Sequence, residues 1–206
     1  MERATPWPMQ MPFDSLTELS DDALLALFAN GDAGAARALT LRFTPRALAH
    51  AQRVLGDAAE AEDVAQEAMM RLWRMAPDWR AGEAQLGTWL YRVVANLCTD
   101  RLRKRRTVDI DSLPERADKS PSADARLQQQ QRAAALQQAL MHLPDRQRQA
   151  VVLRHIEGLA NPQIATILGV GVEAVESLTA RGTRALGRLL LGRRAELGFD
   201  DDQNEQ

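Results

Sequence analysis

Apolar positions recur along this chain at intervals of three and four, and hardly anywhere at intervals of two, so the pattern predicts helices throughout. From Ser20, the stretch SDDALLALFANGD sets an N-cap before acidic first-turn residues and an apolar face at Leu24, Leu27 and Phe28, ending near Asn30 and Gly31. A second stripe through Leu39, Phe43, Leu48 and Val54 predicts another helix, with Pro45 as a point of bending and Gly56 as its stop. In DAAEAEDVAQEAMMRLWRMAP, Asp57 and Glu60 have the spacing of a capping box, and Val64, Ala68, Leu72 and Met75 line one face as far as Pro77. After the loop DWRAGEAQLG, a long helix is expected from about Thr88 to Arg106, burying Leu90, Val93, Val94 and Leu97.

Residues 107–125, TVDIDSLPERADKSPSADA, break this periodicity with two prolines, three serines and five acids, the composition of a linker. A second helical block then runs from about Ala123 to Leu191, interrupted at Pro144, Gly158 and Gly169 to Gly171. The expected fold is therefore all-α, two small helical domains joined by a flexible acidic linker, the second containing a helix-turn-helix. The expected boundaries are a flexible tail at 1–15 around Pro6, Pro8 and Pro12, a first domain at 16–106, the linker at 107–125, a second domain at 126–192 and an acidic tail at 193–206.

The helix-turn-helix is expected within NPQIATILGVGVEAVESL. Asn161 serves as N-cap and Pro162 as first helical residue; Ile164, Ile167 and Leu168 form a buried face, and Gly169 stops the helix. After the turn, a second helix from Val172 is expected to bury Val175, Leu178, Gly182, Leu186 and Leu189, while Ser177, Arg181, Arg184 and Arg188 share an outward stripe. A short capped helix, a tight turn and a helix with a basic ridge is the geometry that enters a DNA major groove, although an ordinary helical hairpin with a solvated arginine face has the same pattern. Glu173 lies in the first turn, where the helix N-terminus favours a carboxylate. Glu176 has no cation three or four residues away; it is either a solvated charge or an acceptor for a cytosine amino group.

The long helix of the first domain ends in RLRKRR, five cations in six residues, more than a C-terminal dipole needs. Along it, Arg92, Asn96, Thr99 and Arg103 follow at steps of four, three and four, so groups able to contact bases and phosphates share one face. Trp79 and Trp89 bracket the intervening loop and have two readings, core packing or planar surfaces for unstacked bases.

Composition narrows the chemistry. With 45% apolar residues the 206-residue chain can build real cores, and its net charge of −2 leaves DNA binding to local patches. The one cysteine, Cys98, rules out an internal disulfide framework and a multi-cysteine metal cage, and fits a reducing cytosol. No window reaches the ~20 apolar residues of a membrane helix, so no membrane insertion is expected. His50, His142 and His155 are scattered, and neither a phosphate-cradling glycine loop nor a nucleophile motif is present, so the chain is read as a non-enzyme with no metal and no cofactor.

Taken together, AEDVAQEAMMRLW, TWLYRVVANLCTDRLRKRR, an acidic linker and LPDRQRQAVVLRHIEGLANPQIATILGV closely resemble a bacterial RNA polymerase sigma factor of the extracytoplasmic-function (ECF) type, over about residues 16–106 and 127–190. The resemblance implies a cytoplasmic protein whose partners are core RNA polymerase, promoter DNA and an anti-sigma factor. Its first domain would bind the polymerase clamp and melt the −10 element; its second would grip the −35 element; the linker would thread the polymerase cleft. Carried over, Asp63, Gln66, Glu67, Met69 and Trp73 fall on the clamp-binding surface, with an exposed methionine beside Trp73 as an adaptable contact. Arg80, Trp89, Arg92, Asn96, Thr99 and Arg103 fall at the −10 element, with the loop from Arg80 to Thr88 capturing a flipped base. Glu173, Glu176, Ser177, Arg181, Arg184 and Arg188 fall at the −35 element, with Glu173 or Glu176 reading a cytosine. The sequence departs from the family pattern at Gln163, Glu176 and Leu178, where the family usually carries Glu, Lys or Arg, and often Arg. A free-standing helix-turn-helix regulator would leave the clamp-like block unexplained. A sigma mimic that only sequesters an anti-sigma factor would not need the basic row that is present here.

Overall fold

The computed structural model describes residues 16, 18–82, 85–108 and 124–191, and every regular element among them is helical. The first unit comprises α1 (Asp21–Ala29), α2 (Ala33–Leu55), α3 (Ala58–Met75), a single 3-10 turn (Ala76–Asp78) and α4 (Leu86–Val108). The second comprises α5 (Asp124–Met141), α6 (Asp145–Val151) running into a π-helical turn (Val152–Ile156), then α7 (Asn161–Leu168) and α8 (Val172–Leu191). Most of the expected linker and both expected tails lie outside the described residues.

Each early helix starts where a short acceptor side chain can take an orphan backbone donor. Ser20 Oγ accepts from the Ala23 N–H at 3.2 Å, an Asp32 carboxylate oxygen from Ala35 at 2.8 Å, and one of Asp57 from Glu60 at 2.9 Å. The Glu60 carboxylate turns away from that cap to Arg105 of α4, at 2.9 Å, so it ties two helices together. Gly56 ends α2 in the left-handed conformation at φ 69°, returning its N–H to the Gln52 carbonyl. α4 extends two residues beyond each expected end. α7 begins at Asn161 with Ala160 as its N-cap, one residue earlier than expected, because Gln163 Oε1 reaches back to accept from the Ala160 N–H at 3.0 Å.

The first core gathers the expected stripes: Leu24, Leu39, Phe43, Val54, Val64, Ala68, Leu72, Leu90 and Val94 are all buried. In the second unit Val175 is fully buried and Leu178 and Leu186 are half-buried, but Leu189 is 37% exposed, because the end of α8 runs past the helices that cover its middle. Gly182 is where α8 comes closest to α6: a Cβ there would lie 2.6 Å from Val151 Cγ2 and 3.2 Å from the Gln147 carbonyl oxygen. Gly187, on the same helix, would meet nothing within 4 Å.

Two alanine substitutions on one helix should therefore have opposite effects. Gly182→Ala gains ~1 kcal/mol of helix propensity but overpacks a backbone contact at about 1–3 kcal/mol, so it should lower the thermal midpoint, whereas Gly187→Ala should raise it. Melting followed by circular dichroism reads both.

Candidate functional site

Three surfaces carry the residues singled out in the sequence. The first is a groove of about 430 Å³ between α2 and α3, walled by Thr40, Thr44 and Leu48 on one side and by Gln66, Met69, Met70 and Trp73 on the other. Met69 is 6% exposed and forms part of the core, because it continues the stripe of Ala65 and Leu72. The exposed methionine beside Trp73 is instead Met70, 46% exposed and one position further round the helix, with Leu41 of α2 57% exposed. The Trp73 ring packs against Phe28, centroids 4.5 Å apart. Gln66 is exposed, Asp63 pairs with Arg101 at 3.3 Å, and Glu67 pairs with Arg71 at 2.9 Å, a contact that holds the Glu67 carboxyl below its usual range. An apolar trough with a charged rim is suited to receive a partner helix.

The second surface is the outer row of α4. Arg92, Asn96, Thr99 and Arg103 are all exposed and on one side, as their spacing requires. Thr99 donates to the Ala95 carbonyl at 2.8 Å, and Arg103 pairs with Asp100 at 3.2 Å. The RLRKRR run is largely spent within the molecule: Arg101 pairs with Asp63, Arg105 with Glu60, and Arg106 with Asp145 of α6. Arg80 is exposed at the head of the loop. Both tryptophans flanking that loop pack, and both stay half-exposed. Trp79 and Trp89 both lie against the first core, and the Trp79 indole N–H donates to Asp22 at 2.8 Å. Asp22 also accepts from the Gly82 N–H at 3.3 Å, which pins the start of the loop to α1.

The third surface is α8. Glu173, Glu176, Ser177, Arg181, Arg184 and Arg188 are all exposed, with Arg181 Nε donating to the Ser177 carbonyl at 3.2 Å. α7 and α8 meet across Gly169–Gly171, where Gly169 adopts φ 63° and the Val170 N–H returns to the Ala165 carbonyl. The acids occupy the leading turns and the arginines the later ones.

A fourth cluster, which the sequence did not announce, joins the two units. Arg148, 4% exposed on α6, donates to the carbonyls of Leu140 and Leu143 at 3.0 Å each and to that of Val54 at the end of α2. Its acidic partner among the described residues is Asp145, at 3.2 Å; burial pushes the guanidinium pKa down, opposed by that carboxylate. Beyond the π-helical turn, Glu157 accepts from the Tyr91 hydroxyl at 2.6 Å and from Arg53 at 3.1 Å, and lies 3.8 Å from the fully buried His50. Burial pushes the Glu157 carboxyl up, but His50, Tyr91 and Arg53 together outweigh it and hold the pKa below the usual value. Burial, and then the bond to Glu157, pushes the Tyr91 hydroxyl up. The available signal was phase: His50 falls at the helical spacing of Phe43, Ala47 and Val54, so a polar residue occupies a core position.

Cys98 is fully buried on α4, and burial pushes its thiol up to about 12. Thiolate is the reactive form, so the native protein should resist thiol reagents at pH 8 and react only when unfolded, as stopped-flow titration would show. The folded pKa is raised, so this contribution to stability is complete below the ordinary thiol value of ~8.5 and is lost as pH rises above it.

Residues 39–108 match the family Sigma-70 region 2, and residues 133–186 match Sigma-70, region 4. The chain is 36% identical over 178 residues to the ECF RNA polymerase sigma factor SigM of Mycobacterium tuberculosis, an alignment covering 86% of this chain and 88% of that one. It is 33% identical over 186 residues to the RNA polymerase sigma-H factor of Pseudomonas aeruginosa, covering 85% and 96%. With SigE of Mycolicibacterium smegmatis it shares 36% identity over 140 residues, spanning 66% of this chain and 54% of that relative. Among solved structures it resembles CnrH, bound in that structure to the cytosolic domain of CnrY, with a TM-score of 0.62 at 27% identity over 84% of this chain and 97% of the other. With two helical units matching in order and near full-length relatives above 30% identity, this chain belongs to the ECF family of RNA polymerase sigma factors.

Proposed function

We propose that this sigma factor engages core polymerase through the groove between α2 and α3, melts the −10 element with the α4 row and the loop before it, and reads the −35 element with α8. It supplies no catalytic group of its own. Capture of unstacked bases offsets an unstacking cost of a few kcal/mol, and polymerase performs the chemistry. The observation that carries this reading is the exposure of two faces with DNA-binding chemistry, Arg92 and Asn96 on α4 and Ser177, Arg181 and Arg184 on α8, one in each matched block. Among the described residues no helix is long and apolar enough to cross a membrane, which fits work beside the nucleoid in the cytoplasm. In this reading an anti-sigma factor controls the chain by covering its polymerase-binding groove; CnrH, to which the chain is similar, is itself seen in complex with the cytosolic domain of CnrY.

Transcription in vitro with purified core polymerase tests the whole reading: promoter-specific transcripts are expected, and their absence would leave a sigma mimic or a free-standing regulator. Within the −35 set, Arg184→Ala should weaken binding uniformly across promoters and reduce the salt slope by about one. Glu176→Gln should relax preference at a single base pair by about 1–3 kcal/mol, or roughly 5- to 150-fold. An unchanged preference across a panel of −35 variants would make Glu176 a solvated charge.

A further inference from the structure

The loop assigned to base capture is held from outside itself, by one carboxylate of α1. Asp22 Oδ1 accepts from the Trp79 indole N–H at 2.8 Å, and Oδ2 accepts from the Gly82 backbone N–H at 3.3 Å. Each oxygen already serves a donor within the protein, which suits Asp22 to act on the loop rather than on a base. The support behind it is stiff. Asp22 lies in the first turn of α1, where the positive end of the helix dipole favours a carboxylate, and Ser20 caps that turn. Next to it, Asp21 receives Arg42 of α2 at 2.6 Å, and the same guanidinium donates to the Leu19 carbonyl at 3.0 Å. The amino end of α1 is thus fastened to α2, and the loop is fastened to α1.

What lies between the two anchored positions gives the arrangement its use. Exposed Arg80 and Ala81 separate Trp79 from Gly82, and Gly82 then turns the chain at φ 83°, a left-handed conformation that favours glycine. A short arch with both feet on one carboxylate restricts the directions open to Arg80. Past the turn, Gln85 and Thr88 join Asp22 and Gly82 in lining one cleft of about 950 Å³, room enough for an unstacked base.

We propose that Asp22 is a positioning residue for the −10 element: by holding Trp79 and Gly82 together it sets the arch that carries Arg80, and with it the selectivity with which the loop takes an unstacked base. The inference rests on the promoter-reading function above and adds to it a residue that makes no DNA contact of its own.

The test uses the full chain bound to core polymerase and forked promoter DNA in which each unpaired −10 position carries each of the four bases in turn, with competition binding giving the base preference. Asp22→Asn keeps the shape of the side chain but offers one acceptor oxygen in place of two. It should flatten the −10 preference by about 10-fold, the scale of one hydrogen bond to a charged group, and leave the −35 preference and the affinity for core polymerase at parent values. Trp79→Phe removes the other donor while keeping a packed ring, and should act in the same direction. Arg80→Ala supplies a readout that lost stability would not move: it should weaken binding in the parent and much less in the Asp22→Asn background, where the arch is already slack. Thermal melting shows whether each variant is folded; if Asp22→Asn is not, the same readouts on Trp79→Phe decide. An unchanged −10 preference in the folded variant overturns the proposal, as does an Arg80→Ala loss of the same size in both backgrounds. Equal losses of preference at −10 and −35 overturn it too, because they mark general damage. A parent chain with no base preference at any −10 position overturns the promoter-reading function instead, so the two failures are distinct.

Discussion

The structure turns on the carboxyl end of α2. The last carbonyls of any α-helix lack partners within it, and a helix end buried in protein must find donors elsewhere. Here they come from three other helices. Gln137 of α5 donates to the Gln52 carbonyl at 3.1 Å, Arg148 of α6 to that of Val54, and Arg105 of α4 to that of Leu55 at 3.1 Å. Two of these donors are cations, which the negative end of the helix dipole favours. A requirement of backbone chemistry thereby becomes the point at which the first unit is completed and the second is docked.

The same economy explains the basic end of α4. Five cations in RLRKRR looked like a phosphate grip, yet Arg101 and Arg105 hold α3 and Arg106 holds α6. Exposed pairs of this kind contribute little each, commonly below ~1 kcal/mol, so they steer the packing of helices more than they stabilise it. In the proposed reading, DNA contacts fall to Arg92 and Asn96, further back along α4, and to the arginines of α8, all of them exposed.

Individual helices were legible in the sequence because their determinants are local. Ser20, Asp57 and Gly56 announce ends, and the stripes of Val64, Ala68 and Leu72 or of Ile164 and Ile167 announce buried faces. Errors came where a single step round a helix decides exposure, as with Met69 and Met70, or where a helix outruns its cover, as at Leu189. The cluster that joins the two units was not legible because its partners are far apart in the chain: Arg53 and Glu157 are separated by 104 positions, and Val54 and Arg148 by 94. Arg148 in sequence is one arginine among many; only the fold makes it a buried donor.

His50 sits fully buried 3.8 Å from the Glu157 carboxylate, which also accepts from the Tyr91 hydroxyl and from Arg53. One carboxylate thus serves an imidazole, a phenol and a guanidinium of the first unit. A change at position 157 would leave three polar groups to find other partners at once, which makes it a position where a single side chain governs several.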